Sequence, residues 1–260
     1  MAPSRVSLMR FQPELDKEQA FWDWYEQHHI PDLFTRPGWK RVRMCRLAPE
    51  ENLSEFWRPY RDSTGQPKYL NLLERYVDVP AAGPPAGGSG GPSSGQIDFI
   101  ENWLPHLVHY STAGYLSVME KTAEDFGGLP ESKRNYRIGV MRYDVVPDQE
   151  QAFHRWYDDV HIPELFAGQG WRAVRRYVFS AESRGGPAAL ERHQRTEGEP
   201  AHLILLERDL GQPSPAPSQP QGQLPHGQQD FVTNWLPHLR NYTSYAYECL
   251  VDASDRDFKK

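Results

Sequence analysis

A chain of 260 residues is long enough to bury a sizeable core, as one large domain or two small ones. Its formal net charge of -6, from 29 Lys+Arg and 35 Asp+Glu mixed along the chain, leaves no basic patch for a phosphate backbone and speaks against nucleic acid as a partner. Without a run of about 18 apolar residues, or an apolar stretch behind a basic start, no membrane segment is expected, and a soluble, cytoplasmic protein is.

Residues 6–11 (VSLMRF) are apolar-rich and precede a helical pattern, so they are expected to form a strand. From about Asp16 the apolar positions Phe21, Trp24 and Tyr25 recur at helical spacing, which predicts a helix with one face packed on a sheet. Pro31, two residues after His29, is expected to break or kink that helix and to leave His29 in its last turn. After Gly38, WKRVRMCRL alternates like a half-exposed strand, and YLNLLERYV supplies a third strand. The Pro, Gly and Ser-rich tract 80–95 reads as a mobile loop, with a passive spacer as the alternative. A second helix is expected over 97–104, ending near Pro105, and a last strand over 110–120. The order β-α-β-β-α-β is the ferredoxin-like plan.

The same series then recurs. FWDWYEQHHIPDLF at 21–34 returns as FHRWYDDVHIPELF at 153–166, an offset of 132 (153 − 21), and DFIENWLPHL at 98–107 returns as DFVTNWLPHL at 230–239 at the same offset. Three blocks in unchanged order, with Gly38-Trp39 and Gly170-Trp171 between them, mean internal duplication. The expected units are residues 1–125 and 133–255, joined near 121–135, and the tract 212–227 takes the place of 80–95. A lone unit leaves one sheet face without a helix over it. Two such units packed face to face with their edges paired give a closed eight-stranded barrel. The fold class is therefore α+β, two tandem ferredoxin-like units forming an intramolecular dimeric α+β barrel, with an aromatic, histidine-bearing cavity expected where the halves meet. Cys45 and Cys249 read as reduced buried thiols.

The element WYEQHHIPDL and its copy WYDDVHIPEL resemble the W/Y-x(3)-H-x-P-L signature of EthD-like members of the dimeric α+β barrel superfamily. The resemblance implies this fold and one of several activities: cofactor-free monooxygenases, lactone isomerases, polyketide cyclases and decarboxylases, and haem-dependent enzymes all occur in the superfamily. Members usually pair as homodimers; here the duplication supplies the pair within one chain, leaving a monomer or a homodimer of it open.

Candidate catalytic residues are His29 and His161, with Tyr25 and Tyr157 one helical turn upstream to orient the ring or a substrate oxygen. A helix C-terminus favours the imidazolium and an apolar cavity the neutral ring, so a pKa near neutrality is expected. Asp158 and its counterpart Glu26 are candidates to hold a ring nitrogen. Trp24, Trp156, Trp103 and Trp235 are candidate substrate walls, with core packing as the alternative. His106 and His238 are candidate substrate contacts, or else polar groups closing a helix end, and Asn102 and Asn234 accompany them. His106 and His109 are three apart, but Asn241 replaces His109 in the copy and no Cys or carboxylate cluster completes a metal site. No nucleotide-binding or zinc-protease motif is present. The expected activity is a cofactor-independent lyase or isomerase step, such as cyclisation or decarboxylation, on a small aromatic or polyketide-like carbonyl compound of secondary or aromatic metabolism. A haem-dependent or cofactor-free oxygenase, and a non-catalytic binder of a hydrophobic small molecule, are the alternatives.

Overall fold

The structure, a computed structural model, describes residues 4–49, 66–77, 92–127, 136–168, 170–180, 190, 193, 197–210 and 226–258. The first half runs β1 (Ser4–Pro13), α1 (Glu18–Trp24), α2 (Ile30–Phe34), β2 (Trp39–Leu47), β3 (Tyr69–Tyr76), α3 (Ser94–Asp98) and β4 (Leu107–Thr122). The second repeats it as β5 (Tyr136–Val145), α4 (Glu150–Trp156), α5 (Ile162–Ala167), β6 (Trp171–Phe179), β7 (His202–Asp209), α6 (His226–Asp230) and β8 (Leu239–Ser254). Most of the tracts 80–95 and 212–227, and much of the junction 121–135, lie outside the described residues.

The strands close into one antiparallel barrel in the order β1-β3-β2-β8-β5-β7-β6-β4. Each half contributes the 4-1-3-2 order of a βαββαβ unit, and the halves join at two seams, β2 with β8 and β4 with β6. The last strand of each half is longer than its apolar pattern suggests, 16 residues in each case. The reason is division of labour along one strand. Leu107 to Leu116 of β4 pair with β1, while Tyr115 to Thr122 pair with β6 of the other half. β8 does the same with β5 and β2. A closed barrel removes the exposed edges that a single unit would leave.

The halves therefore clasp as expected, but the space between them is filled. Val6, Leu8, Cys45, Leu70 and Leu72 from one half interdigitate with Tyr136, Ile138, Val140, Tyr177, Leu203 and Leu205 from the other. Eight strands make an interior only just wide enough for such side chains. The charged residues inside are paired. Arg43, fully buried, donates to Glu74 (2.6 Å) and to Glu207, and Arg175 donates to Glu207 and to Glu120 (2.8 Å). Nearer the other end, Arg10 and Arg142, equivalent in the two halves, share the single carboxylate of Glu199 at 2.8 and 3.0 Å. β2 and β6 are consequently not half-exposed: Val42 to Cys45 and Arg172 to Tyr177 are buried on both faces. One face packs under helices and the other, including Arg43 and Arg175, points into the barrel. Cys45 is buried and Cys249 half-buried; they are free, and their Cα positions are partners across the β2–β8 seam.

The second helix of each half ends beside Pro105 or Pro237, as expected, but the first does not end at Pro31 or Pro163. Between α1 and α2, Tyr25–His29 form a π-helical turn in which the Ile30 N–H reaches back five residues to the Tyr25 carbonyl, and the chain stays helical to Phe34. The second half repeats this with Tyr157–His161 and the Ile162 N–H to the Tyr157 carbonyl. Phe99–Trp103 and Phe231–Trp235 are π turns as well, ahead of Pro105 and Pro237, and short 3-10 turns carry on to His106 and His238. A proline removes one N–H and clashes with the carbonyl four residues back. Widening the preceding turn by one residue relieves both problems without breaking the helix. His29 and His161 therefore end a wide turn inside a helix and do not sit at its C-terminus. Gly38 and Gly170, with φ of 95° and 87°, turn the chain from α2 and α5 into β2 and β6, a conformation that side chains rarely adopt.

Candidate functional site

Each half has its own aromatic layer between helices and the outward face of its sheet. In the second half Trp156 stacks on His161 (centroids 5.1 Å, 21°) and on Trp235 (5.4 Å), while Tyr157 packs against His161 at 4.9 Å. The first half repeats the set, with Trp24 5.0 Å from His29 and 5.3 Å from Trp103, and Tyr25 4.7 Å from His29. The expected residues are thus brought together, but as two outer layers. Neither imidazole projects into the barrel, because the helix-bearing face of a ferredoxin-like sheet is the face that points away from its partner.

The two layers differ. Around His161 lies a cavity of about 260 Å³ lined by Arg137, Gly139 and Met141 of β5, Leu206 and Arg208 of β7, Tyr242, Ser244 and Ala246 of β8, Trp171, and the helical residues His161, Leu165 and Phe231. In the first half the matching strip of β4 is contacted from the other half. Leu190 and His193 cross from the connection between β6 and β7, with the His193 carbonyl accepting from the Thr112 N–H (3.1 Å) and its ring 5.1 Å from Tyr110. His29 is itself satisfied, its Nδ1–H donating to the Gly95 carbonyl at 3.2 Å. Tyr25 accepts from the amide of Asn71. Ile204 replaces that asparagine in the second half, and the Tyr157 hydroxyl is buried without a partner.

His161 Nδ1 is also buried without a hydrogen bond and faces Gly227, where an added Cβ would come to 3.0 Å. The Nε2 edge is left for the cavity. Burial pushes the pKa of both rings down, to about 4 for His29 and for His161. The expectation of a value near neutrality is therefore corrected: the helix runs on past each ring, so no terminal dipole opposes desolvation. Both rings are neutral at pH 7.

Other candidates fall outside the cavity. Asp158 pairs with Arg176 at 2.7 Å, and Glu26 is exposed, because a π turn carries the residue three back away from the histidine's side. His106 is half-exposed and pairs with Glu14 (2.9 Å). His238 lends its carbonyl to the Val146 N–H (3.0 Å), and Asn102 and Asn234 hold Asp98 and Asp230 at the outer helix surface. Trp156 and Trp235 stand behind the His161 ring, not among the lining residues. Missing from the expected set were Arg137, Arg208, Gly139, Tyr242 and Gly227. Three of them left a legible sign, since Arg5 and Arg137, Tyr110 and Tyr242, and Gly95 and Gly227 keep the offset of 132.

These titrations predict how stability responds to acid. The rings titrate near 4 folded and near 6.5 unfolded. As pH falls below 6.5 the unfolded chain therefore gains protons first, and stability present above pH 6.5 is lost down to about pH 4. Each ring removes at most about 1.4 kcal/mol per pH unit, and buried His202, also shifted down, acts in the same sense. Melting temperature should drop steadily from pH 6.5 to 4.5, less steeply in a His29→Gln, His161→Gln double variant. Equal slopes would show that these rings are not the groups responsible.

Among the described residues no group of His, Cys, Asp or Glu is placed to hold a metal ion, and no helix is long and apolar enough to cross a membrane. Among the described residues, the space beside His161 is small for a haem. A cavity of about 260 Å³ is below the roughly 300–1,000 Å³ of ordinary cofactor pockets, and the ring is wedged between Trp156 and Tyr157.

No known protein family and no curated protein matches the chain by sequence. Among solved structures it is similar to an anthrone oxidase-like protein, with 12% identity and a TM-score of 0.57 over 98% of this chain and 94% of that one. A monooxygenase-like protein of Fusobacterium nucleatum matches with 12% identity and a TM-score of 0.60 over 97% and 95%. Chlorite dismutase of Candidatus Nitrospira defluvii matches with 10% identity and a TM-score of 0.50 over 96% and 92%. At this identity the likeness shows the fold, a dimeric α+β barrel, and its near full-length coverage agrees with a duplicated chain.

Proposed function

We propose that the second of two EthD-like units, spanning 133–255, carries the active site of a cofactor-independent enzyme that removes a proton beside the carbonyl of a small aromatic or polyketide-like compound. The observation that carries this reading is the His161 ring, neutral at pH 7 and lining a cavity, with Nδ1 turned to Gly227. In the first half Nδ1–H donates to the equivalent glycine carbonyl, and the same tautomer at His161 leaves the Nε2 lone pair to accept the proton. Tyr242 and Ser244 line the same space and supply hydroxyl donors to the carbonyl oxygen as it gains charge. Phe231, Trp171 and Met141 provide the flat apolar surround.

Attack of the resulting carbanion on a second carbonyl of the same molecule, or its reprotonation at another carbon, is the cyclase or isomerase outcome. Capture by dioxygen is the second reading, favoured by the names of two structures with the same fold, anthrone oxidase-like and monooxygenase-like. Incubation in D₂O with aromatic ketones and β-dicarbonyl compounds tests the common step. Enzyme-dependent deuterium incorporation at the acidic carbon is expected, and an oxygen electrode separates the two fates. Tight binding with neither exchange nor oxygen uptake would make the protein a carrier and overturn the catalytic reading.

A further inference from the structure

The end of the cavity away from Tyr242 carries two positive charges and no carboxylate among its described lining residues. Arg137 and Arg208 are direct Cα partners on β5 and β7. Like charges directly opposite on a sheet are destabilising. Arg137 meets Glu248 through one Nη at 2.9 Å, but Glu248 also faces Arg46 at 3.5 Å. Arg208 is less compensated: Nε and one Nη are buried without a hydrogen-bond partner, and its guanidinium lies 5.7 Å from the centre of the Trp171 ring. Unmet guanidinium donors of this kind leave a full desolvation cost standing in the free protein.

The duplication shows that this is an inherited arrangement. In the first half Arg5 and Arg75 are Cα partners in the same place, and Arg75 lies 4.8 Å from the Trp39 ring. His193 lies at the other end of that strip, beside Tyr110 and Thr112. In the second half the pair opens onto the cavity. From Arg137 through Gly139 to Met141 the floor follows one face of β5, about 13 Å at strand rise, with His161 lying over it. Gly139 stands where the first half has Ser7, which lowers the floor between the two ends.

We infer that Arg208, assisted by Arg137, anchors a carboxylate at one end of the ligand, so that the substrate class is an aryl-bearing carboxylic acid whose other end reaches His161. The guanidinium fork matches a carboxylate in geometry and charge, and Trp171 offers a flat face beside it. The carboxylate is a handle for positioning and does not take part in the proton transfer. This inference rests on the site proposed above, and its test separates the two.

Binding of phenylacetate and cinnamate, each against its primary amide and against inorganic phosphate, is to be measured calorimetrically at pH 7. Each carboxylate is expected to bind the wild type at least about tenfold tighter than its amide, the gain typical of a charge-assisted bond. Arg208→Gln should abolish that preference, Arg208→Lys should restore part of it, and Arg75→Gln should leave it unchanged. His161→Gln should keep the preference whether or not His161 is the base, so loss of catalysis and loss of anchoring are read independently. Equal affinity for acid and amide, a preference that survives Arg208→Gln, or phosphate binding as tightly as the aryl acids would overturn the inference.

Discussion

His161→Gln is expected to lower turnover by about 10²- to 10⁴-fold, the usual contribution of a positioned general base, while melting temperature changes little. Glutamine is close to histidine in size and polarity but cannot accept a proton in this range. His29→Gln is the internal control. Its ring is tied to Gly95, and the neighbouring strip is contacted by Leu190 and His193, so turnover should remain near wild type. A pH profile sharpens the comparison. With a pKa of about 4, His161 is neutral from pH 5 upward, so the rate should be flat there and fall about tenfold per unit below pH 4. Equal losses in the two variants would point to a structural role shared by both rings and would sink the assignment of the site to the second half.

The largest loss of stability is expected from Glu207→Gln. Glu207 is fully buried and accepts from both Arg43 and Arg175, so one carboxylate joins β2 of one half to β6 of the other. Burial alone would raise its pKa; Arg175 and Arg43 outweigh that and hold it well below the usual carboxylate range. An amide removes the charge and leaves two buried guanidinium groups short of one partner. Breaking a buried ion pair from one side costs about 3–5 kcal/mol, or a drop in melting temperature of roughly 6–20 °C for a chain of this size. A double change of Arg175 and Glu207 to Leu should cost less than the single change, since it removes charge on both sides. Thermal melts of the two variants check this, and a single-variant drop of only a degree or two would show that Glu74 and Glu120 suffice.

Gly227→Ala is expected to act on the site alone. The new Cβ would overlap the Glu164 carboxylate and crowd His161 Nδ1 at 3.0 Å, tilting the ring. Turnover should fall further than the melting temperature would suggest, and an unchanged rate would mean that the His161 edge is not the working one.

Periodicity and duplication made the strands, the helices and their order legible before any coordinates. Repetition of the NWLPHL and HIP blocks at one offset is a one-dimensional fact, and the uncovered sheet face of one unit requires a second. Three local readings failed where a neighbour in space decided the outcome. Pro31 and Pro163 did not end their helices, because a π turn absorbs the missing N–H. β2 and β6 read as half-exposed because their arginines are polar, yet Arg43 and Arg175 meet carboxylates of other strands inside the barrel. The histidine titration was set by burial, with no helix end to oppose it.

By itself, then, the amino-acid sequence determined two equivalent ferredoxin-like units and the aromatic and imidazole residues that assemble in each, since both follow from spacing along one chain. That a cavity lies beside His161 was decided only in three dimensions. Leu190 and His193 cross over to pack on the first half, Ile204 replaces Asn71 behind Tyr157, and Arg208 meets Arg137 across two strands. Those contacts join residues far apart along the chain, and their consequences, desolvation and unpaired charge, exist only once packing removes water from around them.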